Sequence, residues 1–163
     1  MIPNGKAASN GVVEGQPGLP GGSGIRSRIV DCTTEKKFQL INLTERVNDI
    51  VAGSGVTQGT VNVQSLHTTT ALFLNEWQEA LLHDIQTLLE QMAAGVPWRH
   101  DNPAYSDCER KNASSHLRGL LLGQSLSLQV RHGRVLLGTW QSIIFAELDG
   151  PRMRSLSVQV TGM

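Results

Sequence analysis

The groups best able to do chemistry crowd into residues 97–119, PWRHDNPAYSDCERKNASSHLRG. That stretch holds His100 and His116, Cys108, the carboxylates Asp101, Asp107 and Glu109, and four basic side chains. A polar run of this length between packed elements is either a functional loop or a disordered one. Trp98 and Tyr105 offer anchors, and Asn112 opens what reads as a short helix carrying Leu117, Leu120 and Leu121 inward, so the functional reading is the one taken. Asn112 and His116 stand four residues apart and share a helix face, with His100 in the loop leading to it. His67, at the end of a β-prone run, is the third histidine of interest. Three neutral imidazoles make a first shell for zinc or a similar divalent ion, leaving a fourth position for water or substrate. No compact zinc pattern such as HExxH occurs, so spacing alone leaves the metal open.

The remaining reactive groups weigh less. His83 reads as part of a solvated helix face and His132 as a hairpin tip. Glu76 and Asp101 each stand beside a candidate histidine or cap, where a carboxylate handles protons or orients an imidazole. Glu76 also has an ordinary explanation as an acid at a helix N-terminus. A straight strand would separate His67 from Glu76 by about 30 Å at ~3.3 Å per residue, so they share a site only if the chain doubles back or a second subunit contributes. Cys108 lies between Asp107 and Glu109, which oppose a thiolate, and is a poor nucleophile candidate. No GxSxG elbow is present. Arg99, Arg110, Arg118, Arg152 and Arg154 have the chemistry to clamp a phosphate or carboxylate, although surface solvation is the usual role of an arginine.

The elements that must position these groups follow from periodicity. Residues 1–24 are rich in glycine and proline and poor in large apolar side chains, the composition of a flexible tail. Residues 25–163 then form one domain, with strands expected at Ile25–Thr33 and Lys37–Ile41. Asn42 reads as the cap of a helix, with Glu45 in capping-box position and Leu43, Val47, Ile50 and Val51 as its stripe. The GSGVTQG that follows fails as a dinucleotide loop, because its third glycine falls one place late and it ends a helix. Strands are expected at Thr60–Leu66 and Ala71–Leu74. A long amphipathic helix follows at Glu76–Ala94, capped by Asn75 and carrying Leu81, Leu82, Ile85, Leu88, Leu89 and Met92. After the short helix near Ala113–Leu121 the chain turns β: Ser125–Val130, a hairpin at His132-Gly133, Arg134–Leu137, Trp140–Glu147 and Met153–Val160. The sum is an α+β domain of mostly antiparallel, sandwich-like sheets with two main helices and a short one.

Composition sets outer bounds. Lys plus Arg and Asp plus Glu number 14 each, which argues against a general nucleic-acid or acidic-membrane binder. Two cysteines without a CxxC make no disulfide framework, no apolar leader is visible, and no run approaches the ~20 residues of a membrane span. The expectation is a cytoplasmic domain.

Several separated motifs occur together and in order: His67-Thr-Thr-x-Ala with Asn75-Glu76, then His100-Asp101, then Asn112-x-x-x-His116-Leu-x-x-x-Leu-Leu-Gly123. Gly138-Thr-Trp-Gln141 and Glu147-x-Asp-Gly-Pro-Arg152 complete the set. In these the chain resembles the YjbQ-like family, also called secondary thiamine-phosphate synthase, over most of residues 25–163. The Cys108-Glu-Arg-Lys segment looks like a subfamily feature. The resemblance implies a trimeric α+β fold and a site built from these histidines and polar residues at or near a subunit interface. It also implies a divalent metal held by His67, His100 and His116, zinc or, with a diphosphate substrate, Mg²⁺. Asn112, Gln141 and Arg152 would orient a small-molecule substrate, and Glu76 or Asp101 would move protons. The named reaction joins a pyrimidine pyrophosphate to a thiazole phosphate. A trimeric metal- or ligand-binding protein without turnover and a hydrolase using metal-bound water are the alternatives.

Overall fold

The computed structural model describes residues 24–163, so the expected tail lies outside the described residues except for Gly24, which opens the first strand. Strand β1 spans Gly24–Thr33, β2 Gln39–Asn42, β3 Gln58–Ser65, β4 Thr70–Asn75, β5 Ser125–Arg131, β6 Arg134–Val135, β7 Ser142–Glu147 and β8 Met153–Gly162. The helices are α1 Thr44–Ser54, α2 Glu79–Met92 and α3 Ala113–Leu122, with a single 3₁₀ turn at Arg99–Asp101.

All pairings are antiparallel, in a five-stranded sheet ordered β1-β8-β3-β5-β6 and a three-stranded sheet ordered β2-β7-β4. Alternation decides which face of the larger sheet is covered. Leu156, Val158 and Val160 of β8, Val61 and Val63 of β3, and Val30 and Cys32 of β1 point into one core with Val47 and Val51 of α1. Leu72, Ile143 and Phe145 reach that core from the smaller sheet. The opposite face of the smaller sheet packs Ala71, Ala146 and Leu148 against Leu122 of α3. Strand β7 is therefore buried on both faces, which explains its unbroken apolar run rather than an alternating one.

Boundaries differ from expectation at several places, and three of them have a visible cause. Helix α1 forms no capping box: Leu43 holds the cap position without a side-chain bond, while the Asn42 Oδ1 accepts the Thr44 N–H at 2.9 Å and Glu45 reaches Arg134 at 3.6 Å. Helix α2 starts three residues late, because the chain stays extended past Asn75 and the Gln78 Oε1 accepts the Leu81 N–H at 2.7 Å. Strand β7 starts at Ser142, since Gly138–Gln141 closes a turn in which the Gly138 N–H donates to the Gln141 Oε1 at 2.8 Å. The glycines of GSGVTQG are structural. Gly55 ends α1 at φ 76°, and Gly59 pairs with Gly162 so closely that a Cβ would run into the Thr161 carbonyl.

Candidate functional site

The β4–β7 ladder runs from Thr70 opposite Glu147 at one end to Asn75 opposite Ser142 at the other. The histidines gather beyond the Glu147 end. Helix α3 is fastened there by its own polar residues: the Ser115 hydroxyl donates to the Leu148 carbonyl at 2.6 Å, and the Asn112 Nδ2 donates to the Asp149 Oδ2 at 2.8 Å. Gly119 lets the helix lie close to β4, since a Cβ there would sit 3.1 Å from the carbonyls of both Thr68 and Thr70. The Asp101 Oδ1 accepts the Ala113 N–H at 2.9 Å, supplying the cap that Asn112 does not.

This fastening brings two imidazoles face to edge, His100 and His116, with centroids 5.0 Å apart and planes at 89°. The hydrogen bonds fix the state of one of them. The Asn112 amide nitrogen is spent on the Asp149 carboxylate, so its Oδ1 faces the His100 Nε2 at 3.2 Å and can only accept. His100 in its neutral form therefore carries its proton on Nε2 and keeps a lone pair on Nδ1, with the Ser106 hydroxyl 3.5 Å away. The Cys108 thiol also points at the Asn112 Oδ1, at 3.7 Å. Arg110 donates to the same Asp149 oxygen as Asn112, its Nε 2.9 Å from Oδ2. Burial pushes His116 below its ordinary 6.5, with the neighbouring His100 acting in the same direction and Asp149 and Asp101 opposing.

The imidazoles open on a pocket of about 520 Å³ lined by Trp98, Arg99, His100, Ala113, His116 and Leu117. Arg99 is held over the Tyr105 ring at 5.3 Å. No carboxylate lines the pocket, because Asp101 and Asp149 are turned to backbone and side-chain donors. Two imidazoles, one guanidinium and two apolar walls suit a flat small molecule bearing negative charge.

Beneath the pocket lies a buried ion pair. Arg154 and Glu147, at 2% and 0% side-chain exposure, meet through two bonds of 2.5 Å. Glu147 Oε1 also accepts the Asp149 N–H at 2.8 Å, and Arg154 donates to the Thr69 hydroxyl at 3.1 Å. One continuous set of contacts thus joins Arg154, Glu147, Asp149, Asn112 and His100.

The structure brings His100, His116, Asp101 and Asn112 together and leaves the other expected site residues apart. His67 accepts the Ser155 N–H on Nε2 at 2.9 Å, so its proton sits on Nδ1 and no lone pair remains for a metal. Burial and Arg154 hold its pKa below 6.5, against the pull of Glu147. Asn112 is buried, its amide nitrogen donating to Asp149 and its Oδ1 facing His100. Glu76 and Gln141 lie at the Ser142 end of the smaller sheet, where Gln141 closes its own turn. Arg152 follows Asp149 at the histidine end, its main chain paired with Thr34 and its side chain outside the pocket lining. Among the described residues no group of three or more histidine, cysteine, aspartate or glutamate side chains converges as a metal site. Sequence reasoning missed Glu147, Asp149 and Arg154 as organisers. The available signal was a glutamate closing an apolar run, SIIFAE, because a carboxylate in a strand buried on both faces needs a cation.

Fold and site together define an antiparallel two-sheet α+β protein with a histidine pocket at one end of the smaller sheet. The family model described as UPF0047 protein YjbQ-like matches residues 28–163, and the chain belongs to that family. A UPF0047 protein of Methanothermobacter thermautotrophicus is 43% identical over 129 residues, 79% of this chain and 87% of the relative. YugU of Bacillus subtilis is 30% identical over 130 residues, 79% of this chain and 94% of its own. The crystal structure of a YbjQ-like protein of Sulfolobus solfataricus superposes with a TM-score of 0.81 at 31% identity, covering 87% of this chain and 100% of that one. No helix among the described residues is long and apolar enough to cross a membrane.

Proposed function

We propose that the pocket is the active site of a transferase acting on phosphorylated small molecules, with thiamine-phosphate synthesis as the reaction to test first. The observation that carries this reading is the His100–His116 pair opening, with Arg99, on a pocket whose lining holds no carboxylate. In that reaction the thiazole nitrogen bonds the pyrimidine methylene carbon while the carbon–oxygen bond to pyrophosphate breaks, and negative charge grows on the leaving group. Arg99 and protonated His116 are placed to receive it, and His100 Nδ1 is the site for a mobile proton. Neutral imidazoles become charged when an anion enters, which couples binding to proton uptake.

The described residues of one chain do not gather the three-histidine metal site that the resemblance implies. They offer two imidazoles, short of the three or four ligands of a zinc site, and the pocket lining lacks the carboxylate that Mg²⁺ prefers. A metal-dependent enzyme, or a metal-assisted hydrolase, would draw its further donors from a second copy of the chain in the expected trimer. Metal analysis of the purified protein tests that reading, and binding below about one ion per three chains would end it.

The direct test supplies both thiamine precursors and measures pyrophosphate release. The expected result is release that falls by roughly 10²–10⁴-fold in His100→Ala and His116→Ala, the range of acid–base catalysis. No pyrophosphate from the parent chain would remove the named reaction and leave a binding protein without turnover.

A further inference from the structure

Helix α3 borders a second cavity, of about 420 Å³, that shares no lining residue with the histidine pocket. Ser114 and Arg118, four residues apart on α3, face it, as do Gln86 and Glu90, four apart on α2. The turn between β1 and β2 closes it with Lys37 and Phe38. That turn is fixed in place: the Lys37 carbonyl accepts the Gly150 N–H at 2.9 Å, and the Gln39 Oε1 accepts the Glu35 N–H at 2.8 Å. Phe38 is half-buried against the cluster of Ala71, Ala146 and Leu148. The charges in the lining are unequal, two cations against the single carboxylate of Glu90. Among the described residues neither Lys37 nor Arg118 forms an ion pair. Arg118 is held by the end of α2, its Nε donating to the Leu89 carbonyl at 2.5 Å and its Nη2 to the Glu90 carbonyl at 3.2 Å. Those bonds fix the guanidinium without giving it a counter-ion, and burial pulls its pKa below the ordinary value against the pull of Glu90. The Glu90 carboxylate is turned to Gln86, whose amide donates to it at 2.9 Å.

We propose that this cavity binds the monophosphate of a small sugar or polyol, held by Lys37, Arg118 and Ser114 at the phosphate and by Glu90 and Gln86 at the hydroxyls. A guanidinium and an ammonium with no carboxylate partner are the usual receivers of a phosphate, and the Ser114 hydroxyl adds a neutral donor. A carboxylate accepts from hydroxyls, and an amide both accepts and donates, so the Gln86–Glu90 pair suits a polyhydroxylated body. Phe38 and Leu148 give its C–H face an apolar wall. Glu90 decides the class. A carboxylate in the lining repels a second anionic group, so a polyphosphate is disfavoured where a single phosphate with neutral hydroxyls is not. The histidine pocket has the opposite bias, since no carboxylate lines it. The two sites are independent readings, and this one stands whether or not the histidines meet a ligand.

The test titrates glucose 6-phosphate into the full chain while ¹⁵N spectra follow the Ser114 amide and the Arg118 Nε–H. Both signals are expected to shift and saturate, at lower concentration than with inorganic phosphate. Lys37→Ala removes an exposed side chain and should weaken this binding by roughly 10-fold or more, the loss of a charge-assisted bond. Glu90→Gln removes the repulsion and should strengthen the binding of inorganic phosphate, which narrows the preference for the sugar ester. Circular dichroism checks that both variants fold. Signals of Ser114 and Arg118 that do not move, or that respond equally to inorganic phosphate and to glucose 6-phosphate, would overturn the proposal. An affinity unchanged in Lys37→Ala, or a preference unchanged in Glu90→Gln, would overturn it as well. A parallel pyrophosphate titration read at the His116 C2 proton should be the same in Lys37→Ala and the parent, and a missing response there counts against the histidine pocket alone.

Discussion

At its Glu147 end the smaller sheet hides Glu147, Asp149, Arg154 and Asn112 from water, and at its Ser142 end it leaves Trp77, Trp140 and Gln141 exposed. The first end follows the rule for buried charge, in which each group finds a partner: no buried side-chain nitrogen or oxygen among the described residues lacks a hydrogen bond. The second end inverts it, with large apolar rings in solvent and their polar neighbours bonded only locally. One end is finished within a single chain, and the other leaves large apolar side chains uncovered. The difference separates residues that hold the histidine pocket in place from residues outside its lining.

The largest effect on folding is expected at the finished end. Glu147→Ala strands the Arg154 guanidinium in the core and should cost about 3–5 kcal/mol, read from urea unfolding. A loss no larger than that of an exposed substitution would mean that water reaches the pair. Asp149→Ala releases Asn112 and Arg110 and should cost about 1–3 kcal/mol. Its sharper readout is the ¹⁵N spectrum of His100: the neutral ring should carry its proton on Nε2 in the parent and become a tautomer mixture in the variant. An unchanged spectrum would show that Asn112 holds its orientation without Asp149.

Stability should also depend on pH through the two depressed histidines. His67 and His116 bind protons less readily folded than unfolded, since both lie below 6.5 in the native state. The unfolded chain therefore binds more protons as pH falls below about 6.5, and stability declines from that point down to the lowered native values. Above about 6.5 these groups add no slope. His67→Gln keeps an acceptor for the Ser155 N–H without a titrating ring, so its unfolding free energy should fall less between pH 7 and pH 5 than that of the parent. The smallest folding effect belongs to the exposed end, where Trp140→Ala should stay within about 0.5 kcal/mol in the isolated chain. A larger loss, measured at a concentration where the chain is monomeric, would mean that Trp140 already packs on its own chain.

Much of the fold was legible because its periodicities are clean. The alternation of β8 at Leu156, Val158 and Val160 and the positive-φ hairpin at His132-Gly133 both stand where the sequence puts them. The start of α2 was not legible, because Asn75 and Gln78 are both fit to cap and only the ladder with Ser142 keeps Asn75 extended. In the site, the i, i+4 spacing of Asn112 and His116 correctly placed them on one helix, but spacing cannot tell an inward amide from one that meets substrate. His67 was legible as a special histidine and not as one whose lone pair a backbone N–H takes, since Ser155 lies 88 residues away. Arg154 was grouped with surface arginines because its partner Glu147 is a neighbour only through the turn between β7 and β8.

The pocket reading is tested most directly by following the C2 proton of His116 through a pH titration with and without pyrophosphate. An anion held between Arg99 and the two rings should raise the His116 midpoint from its depressed value, because protonation then gains a charged partner. A midpoint that stays put at saturating pyrophosphate would contradict the assignment of this pocket to a phosphorylated ligand.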